Sequence, residues 1–289
     1  MLCARFFCFY MIHLGNYNTL EVLRSTSVGV FLGDGEGTEV LLPNKYVPDG
    51  IDLGQEIKVF CYLDHMERPI ATTLEPLIIR DGFAKLKVME VNDFGAFVDW
   101  GLEKQLLVPF RQQQIKLEAG KYYVIHCYLD EKSFRLVGST KIDKFLNNDQ
   151  VGLEINQEVD LMVYKKTDLG LSVIINQRYQ GLVFSNDVFK NVRVGDQLKG
   201  YIKNIRPDNK IDVTLQPIGV EALDFNANKV LELVKNAGGY LPLHDKSEPE
   251  AIKESVQLSK KAFKKAIGIL YKKRLITIDE EGITLNAED

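Results

Sequence analysis

Short runs rich in Val, Ile, Leu, Phe and Tyr fill the first three quarters of the chain, cut by Gly, Asn and Asp, and they predict short strands. The runs recur in register. Seven residues before Gly95 stands Val88, fourteen after it Pro109 closes Leu107-Val108-Pro109, and twenty-five after it stands Gly120. The same offsets from Gly29 meet Val22, Pro43 and Gly54, and from Gly170 they meet Val163, Phe184 and Gly195. One unit is therefore written three times, with copies 66 and 75 residues apart. Beyond Gly219 the period changes. Val230, Leu231 and Val234 predict a helix that ends at Gly238-Gly239. Ser247-Glu248-Pro249-Glu250 predicts a second helix, capped by Ser247, and Leu258-Ser259 opens a third from Lys260 to about Arg274. Leu275–Ile278 and Ile283–Leu285 flank Asp279-Glu280-Glu281-Gly282, a hairpin signal.

Five short strands in roughly 65 residues suit a small closed barrel of the OB type. Three helices followed by a two-stranded hairpin suit a winged helix-turn-helix, whose third helix would be the recognition helix. The expected fold class is mainly β with a C-terminal α+β domain: three tandem five-stranded OB barrels, then a winged helix. The expected boundaries are 13–77, 78–142 and 154–218 for the barrels and 219–289 for the winged helix, with 143–153 a polar linker. Residues 1–12 fit no repeat element. They are expected to be a leader ahead of a true start at Met11, the alternative being a membrane anchor, although the apolar run is too short to span a bilayer.

Asp93-Phe94-Gly95-Ala96-Phe97-Val98, followed by Leu107-Val108 and a Gly before the fourth strand, resembles the S1-type RNA-binding OB domain. Ser27–Leu32 is a recognisable second copy and Asp168–Val173 a worn third. With Asp245–Glu254 and Lys264–Lys272, the arrangement resembles the conserved virulence factor B family, over residues 13–289. That resemblance implies an RNA-binding protein influencing gene expression after transcription. The S1 pattern carries a His after the Leu-Val of strand three. Here Pro43, Pro109 and Phe184 stand there, which removes a stacking group from two barrels, while Phe184 can still stack. The S1 pattern also implies a basic residue on strand five, and Arg68, Arg135 and Lys210 match that place, as would basic residues at a solvated strand end.

The chain has 36 Lys and Arg against 40 Asp and Glu, a net charge of −4, so any polyanion must meet a local basic surface. Cys61 and Cys127 lie in identical Cys-Tyr-Leu-Asp tetrapeptides at equivalent places, and Ile202 fills the third, so both are expected as core thiols in a reducing cytoplasm. No cofactor, metal or small-molecule substrate is implied by any motif. No catalytic signature appears either, and the barrels leave no room for a ribonuclease core.

Single strands bind an OB barrel by stacking on aromatic rings beside Lys and Arg. Phe94 and Phe97 are the best pair. A regular strand would send them to opposite faces, and Gly95 between them allows both to turn to one surface; otherwise one or both fill the core. Phe31 is the counterpart in barrel one, beside Val28. Barrel three has Leu169 and Ser172 there, with Lys165-Lys166 nearby. Trp100 reads as core or rim. In the third helix Lys260, Lys261, Lys264, Lys265, Lys272, Lys273 and Arg274 fall within fifteen residues uninterrupted by an acid, opposite Phe263, Ala266, Ile267 and Leu270. They form a nucleic-acid face or a merely solvated one. Three functions follow: a non-catalytic, RNA-binding regulator; a duplex-DNA regulator working through the winged helix; or a protein adaptor.

Overall fold

The marks of the repeat decode as two backbone contacts. In the computed structural model, which describes residues 12–34, 37–188, 191–217 and 220–286, the amide of Gly54 donates to Val22 O, that of Gly120 to Val88 O and that of Gly195 to Val163 O. The second contact joins Gly29, Gly95 and Gly170 to strand three. Each has a positive φ of about 150°, and a Cβ at these places would lie 2.1, 2.4 and 2.0 Å from the carbonyl oxygens of Leu42, Val108 and Val183. Only glycine fits so close an approach.

Barrel one is built from β1 (Tyr17–Thr26), β2 (Gly29–Gly33), β3 (Glu39–Pro43), β4 (Glu56–Leu63) and β5 (Pro69–Thr72). It closes in the order β1-β2-β3-β5-β4, with β3 parallel to β5. Barrel three uses β11 (Glu158–Thr167), β12 (Gly170–Ile175), β13 (Tyr179–Phe184), β14 (Gln197–Ile205) and β15 (Ile211–Thr214) in the corresponding order. Between them lie β6 (Phe83–Asn92), β7 (Gly95–Asp99), β8 (Leu106–Pro109), β9 (Tyr122–Asp130) and β10 (Arg135–Ser139). These form a five-stranded sheet in the order β10-β9-β6-β7-β8. Among the described residues no ladder joins β8 to β10, so the middle unit is a half-barrel where a closed barrel was expected. Its edges meet through side chains at Gly138, where an added Cβ would lie 2.8 Å from Val108 Cγ2. In all three units the first strand shifts register after Val22, Val88 or Val163. Such a bulge bends the strand so that it can serve both sides of a barrel.

The chain divides into two compact units, 1–145 and 146–289. Within the first, barrel one has its own core, and the outward face of its β4 packs into the core of the second sheet. Trp100, 2% exposed, meets Phe60 and Tyr62 of β4 edge-on at 5.9 and 6.1 Å, and its indole N–H donates to Lys104 O. Ile12 packs with Leu20, Val22 and Cys61 in the core of barrel one; the rest of the expected leader lies outside the described residues. Cys61 and Cys127 are buried free thiols, and burial pushes both up to about 12.

Within the second unit the polar linker is ordered by its own side chain. Asn148 donates to Gln180 O and Asn209 O and accepts from the Gln180 amide. The C-terminal part contains α1 (Val220–Asn236), β16 (Tyr240–Leu241), α2 (Pro249–Val256), α3 (Lys260–Lys272), β17 (Ile276–Ile278) and β18 (Ile283–Leu285). The hairpin gains β16 as a third strand, in the order β16-β18-β17. Its two residues are too few to carry an alternation in the sequence. Ser247 is not the cap of α2. Glu248 stands at that place, and Ser247 Oγ accepts instead from the His244 amide. Ser259 does cap α3, accepting from Ala262 N at 3.1 Å.

Candidate nucleic-acid interface

The turn between β6 and β7 places the aromatic pair. Asn92 Oδ1 accepts from Phe94 N at 3.0 Å, an Asx turn that holds Phe94 out of the sheet. Phe94 is 74% exposed. Phe97 follows on the outward side of β7, half-buried, while Ala96 and Val98 point to the core. Both rings line one groove of about 810 Å³ with Arg135, Lys104 and, from barrel one, Tyr62 and His65. Three expected residues are therefore brought together: Phe94, Phe97 and Arg135. Neither ring fills the core.

The groove also carries acids that the repeat arithmetic did not reveal. Glu67, Glu90 and Glu103 line it. Glu67 accepts the Arg135 guanidinium at 2.9 Å and meets Lys104 at 3.4 Å. Lys104 also donates to Asp64 O, and Lys45 of barrel one pairs with Glu103. Arg68 stands apart, in the turn before β5, where its guanidinium donates twice to Asp64. Burial opposes the Asp64 charge, but the hydrogen bonds from Arg68 outweigh it and hold the carboxyl below its ordinary range. Lys210 likewise lies in the turn before β15 and pairs with Asp208 at 2.7 Å. Arg68 and Lys210 are thus turn residues, not fifth-strand residues; only Arg135 begins its strand.

In barrel one Phe31 is half-buried beneath Arg24, whose guanidinium lies 3.6 Å from the ring centre and also reaches Glu39. In barrel three Arg206 is held by two bonds to Asp212 and lies 5.7 Å from the Phe184 ring. These two arginines were not singled out in the sequence, since each meets its ring across the sheet. A recurring polar place could have been noticed: Thr26, Asn92 and Thr167 occupy it. Thr26 and Thr167 donate to the carbonyls of Gly29 and Gly170. Just after that place, Val28, Phe94 and Leu169 are all exposed. Only barrel two presents a ring there. Lys166 of barrel three lines a cleft with Glu250, Lys253 and Glu254 of α2, so acids face that lysine.

The third helix buries Phe263, Ala266, Ile267 and Leu270 and exposes Lys261, Lys264, Lys265, Lys272 and, just past its end, Arg274. Among the described residues Lys261, Lys265 and Lys272 make no ion pair, and Lys264 has only Asp245 at 3.9 Å. Lys260 is half-buried and donates to Lys246 O, so it is tied to the preceding loop. Arg274 is at positive φ where the helix ends. The wing tip has the opposite sign: Asp279, Glu280 and Glu281 are exposed. Among the described residues no cluster of three His, Cys, Asp or Glu could hold a metal, and no helix is long and apolar enough to cross a membrane.

Comparison with known proteins agrees with this layout. Residues 14–74 match the S1 domain and residues 228–285 the CvfB-like winged helix domain. The uncharacterized protein YitL of Bacillus subtilis is 29% identical, with 89% of each chain covered. Conserved virulence factor B of Staphylococcus epidermidis is 28% identical, with 94% of each covered. A crystal structure of a multidomain protein with nucleic acid binding domains from Streptococcus pneumoniae is 26% identical, covering 94% of this chain and 98% of its own, at a TM-score of 0.43. The chain is thus similar to an S1 domain over residues 14–74 and to a CvfB-like winged helix domain over residues 228–285, and its likeness to conserved virulence factor B extends over most of its length.

Proposed function

We propose that this chain is a non-catalytic nucleic-acid-binding protein of the cytoplasm, that its ligand is single-stranded RNA, and that it regulates gene expression after transcription. Phe94 carries the reading. A ring 74% exposed, held out by an Asx turn beside Phe97, is costly in water and suited to stacking on an unpaired base. Single strands offer such bases and duplexes do not. The lysines of α3 add a phosphate-binding surface to the same protein. That surface also favours the second reading, a duplex-DNA regulator, in which α3 would serve as the recognition helix. The S1 and winged-helix matches support a nucleic-acid role without choosing between the two sugars.

The test is binding of the intact protein to homopolymer RNA and to duplex DNA across a salt series. Phe94→Ala is expected to weaken RNA binding by roughly 1–3 kcal/mol with little change of salt slope. Replacing Lys261, Lys264, Lys265 and Lys272 by Ala is expected to flatten that slope by about 0.7 for each phosphate no longer neutralised. Tighter binding to duplex DNA, insensitive to Phe94, would favour the DNA reading. No binding to either would leave the adaptor.

A further inference from the structure

Gly268 lies in the interior of α3, where glycine weakens a helix relative to alanine. Such a glycine is ordinarily explained by a left-handed backbone or by a neighbour that leaves no space for a side chain. Neither holds here. Its φ is not positive, and an added Cβ would meet nothing within 4 Å. Among the described residues no contact accounts for the missing side chain.

Its surroundings do suggest an account. At 100° per residue, Lys261, Lys264, Lys265 and Lys272 all fall within about 60° of Gly268 around the helix axis. Lys264 and Lys272 stand one turn before and one turn after it, about 6 Å each way. Tyr271, 56% exposed, borders the same spot. The basic face thus has a bare floor at its centre, a ring at one side and ammonium groups around the rim.

We propose that Gly268 is the place where the sugar–phosphate backbone of single-stranded RNA lies directly against α3. A ribose packs in the open space over the half-buried Gly268, flanking phosphates reach Lys264, Lys265 and Lys272, and the Tyr271 ring covers one side. Charge complementarity identifies the occupant as a polyanion, and the single-strand reading of Phe94 makes that polyanion RNA. The inference rests on the nucleic-acid reading above and makes Gly268 a positioning residue within it.

Gly268→Ala separates binding from folding. The variant should melt at a higher temperature than the parent, because alanine favours the helix and the methyl group meets no neighbour. It should bind a homopolymer RNA about fivefold more weakly, with the salt slope unchanged because every lysine remains. RNA affinity equal to the parent's, or a loss confined to duplex DNA, would overturn the proposal. So would a lower melting temperature, since the glycine would then serve the fold. If the lysine variants weaken RNA binding while Gly268→Ala does not, only the notch falls. If the parent protein binds no RNA, the functional reading falls with it.

Discussion

His126 is 4% exposed, its Nδ1 has no hydrogen-bond partner, and its ring lies against Phe83 and Phe145 at 4.5 and 4.0 Å. Burial lowers its pKa to about 4, partly opposed by the Asp81 charge. The unfolded chain, with its histidine near 6.5, therefore binds more protons than the folded one between pH 6.5 and 4. The neutral ring contributes stability that is whole above pH 6.5 and is lost as pH falls through that window, up to about 3 kcal/mol. His126→Phe keeps a ring among its aromatic neighbours and removes the proton site. Urea titrations at pH 7 and pH 4.5 should show a smaller acid loss for the variant; equal losses would assign the acid sensitivity to other groups. Nothing around His126 in the sequence suggested this, because Phe145 reaches the ring from a segment that reads as polar linker.

The three strand-two glycines show what a repeat can disclose. At Gly95 an added Cβ would lie 2.4 Å from the backbone oxygen of Val108, which cannot move without breaking the β7–β8 ladder. Gly120 also has a positive φ, but nothing stands within 4 Å of it. Gly95→Ala should therefore cost roughly 3 kcal/mol or more and Gly120→Ala about 1 kcal/mol, read from chemical unfolding. Equal costs would mean that strain at φ dominates and close approach does not. These glycines were legible because backbone contact fixes the residue type, and the copies agree. The sequence alone leaves the exposure of Phe94 open against a core position, since it depends on Asn92 accepting from the Phe94 amide in place of a strand continuing. Arg68 and Lys210 were misplaced for a related reason: counting residues locates a position but cannot say where a turn ends and a strand starts. The lysine face of α3 was legible from helical period alone, except for Lys260, which the loop at Lys246 draws in.

Across residues 12–145 the outward face of β4, Phe60 and Tyr62, joins Trp100 in the core of the second sheet, while barrel one keeps a core of its own around Val22, Leu32, Val59 and Cys61. Trp100→Ala should destabilise both by roughly 3–5 kcal/mol. Cys61 and Cys127 report on the two sheets separately, since both thiols are buried and must be exposed to react. In mild denaturant, labelling of both should accelerate together in the variant; acceleration of Cys127 alone would show that barrel one stands by itself. The sequence presents three interchangeable copies, yet the tryptophan of the second packs against the outward face of β4 in the first. A chain built by copying a unit is ordinarily free to drop or exchange one. Here that freedom is reduced for the first two copies, because parting them would expose Phe60, Tyr62 and Trp100 to water.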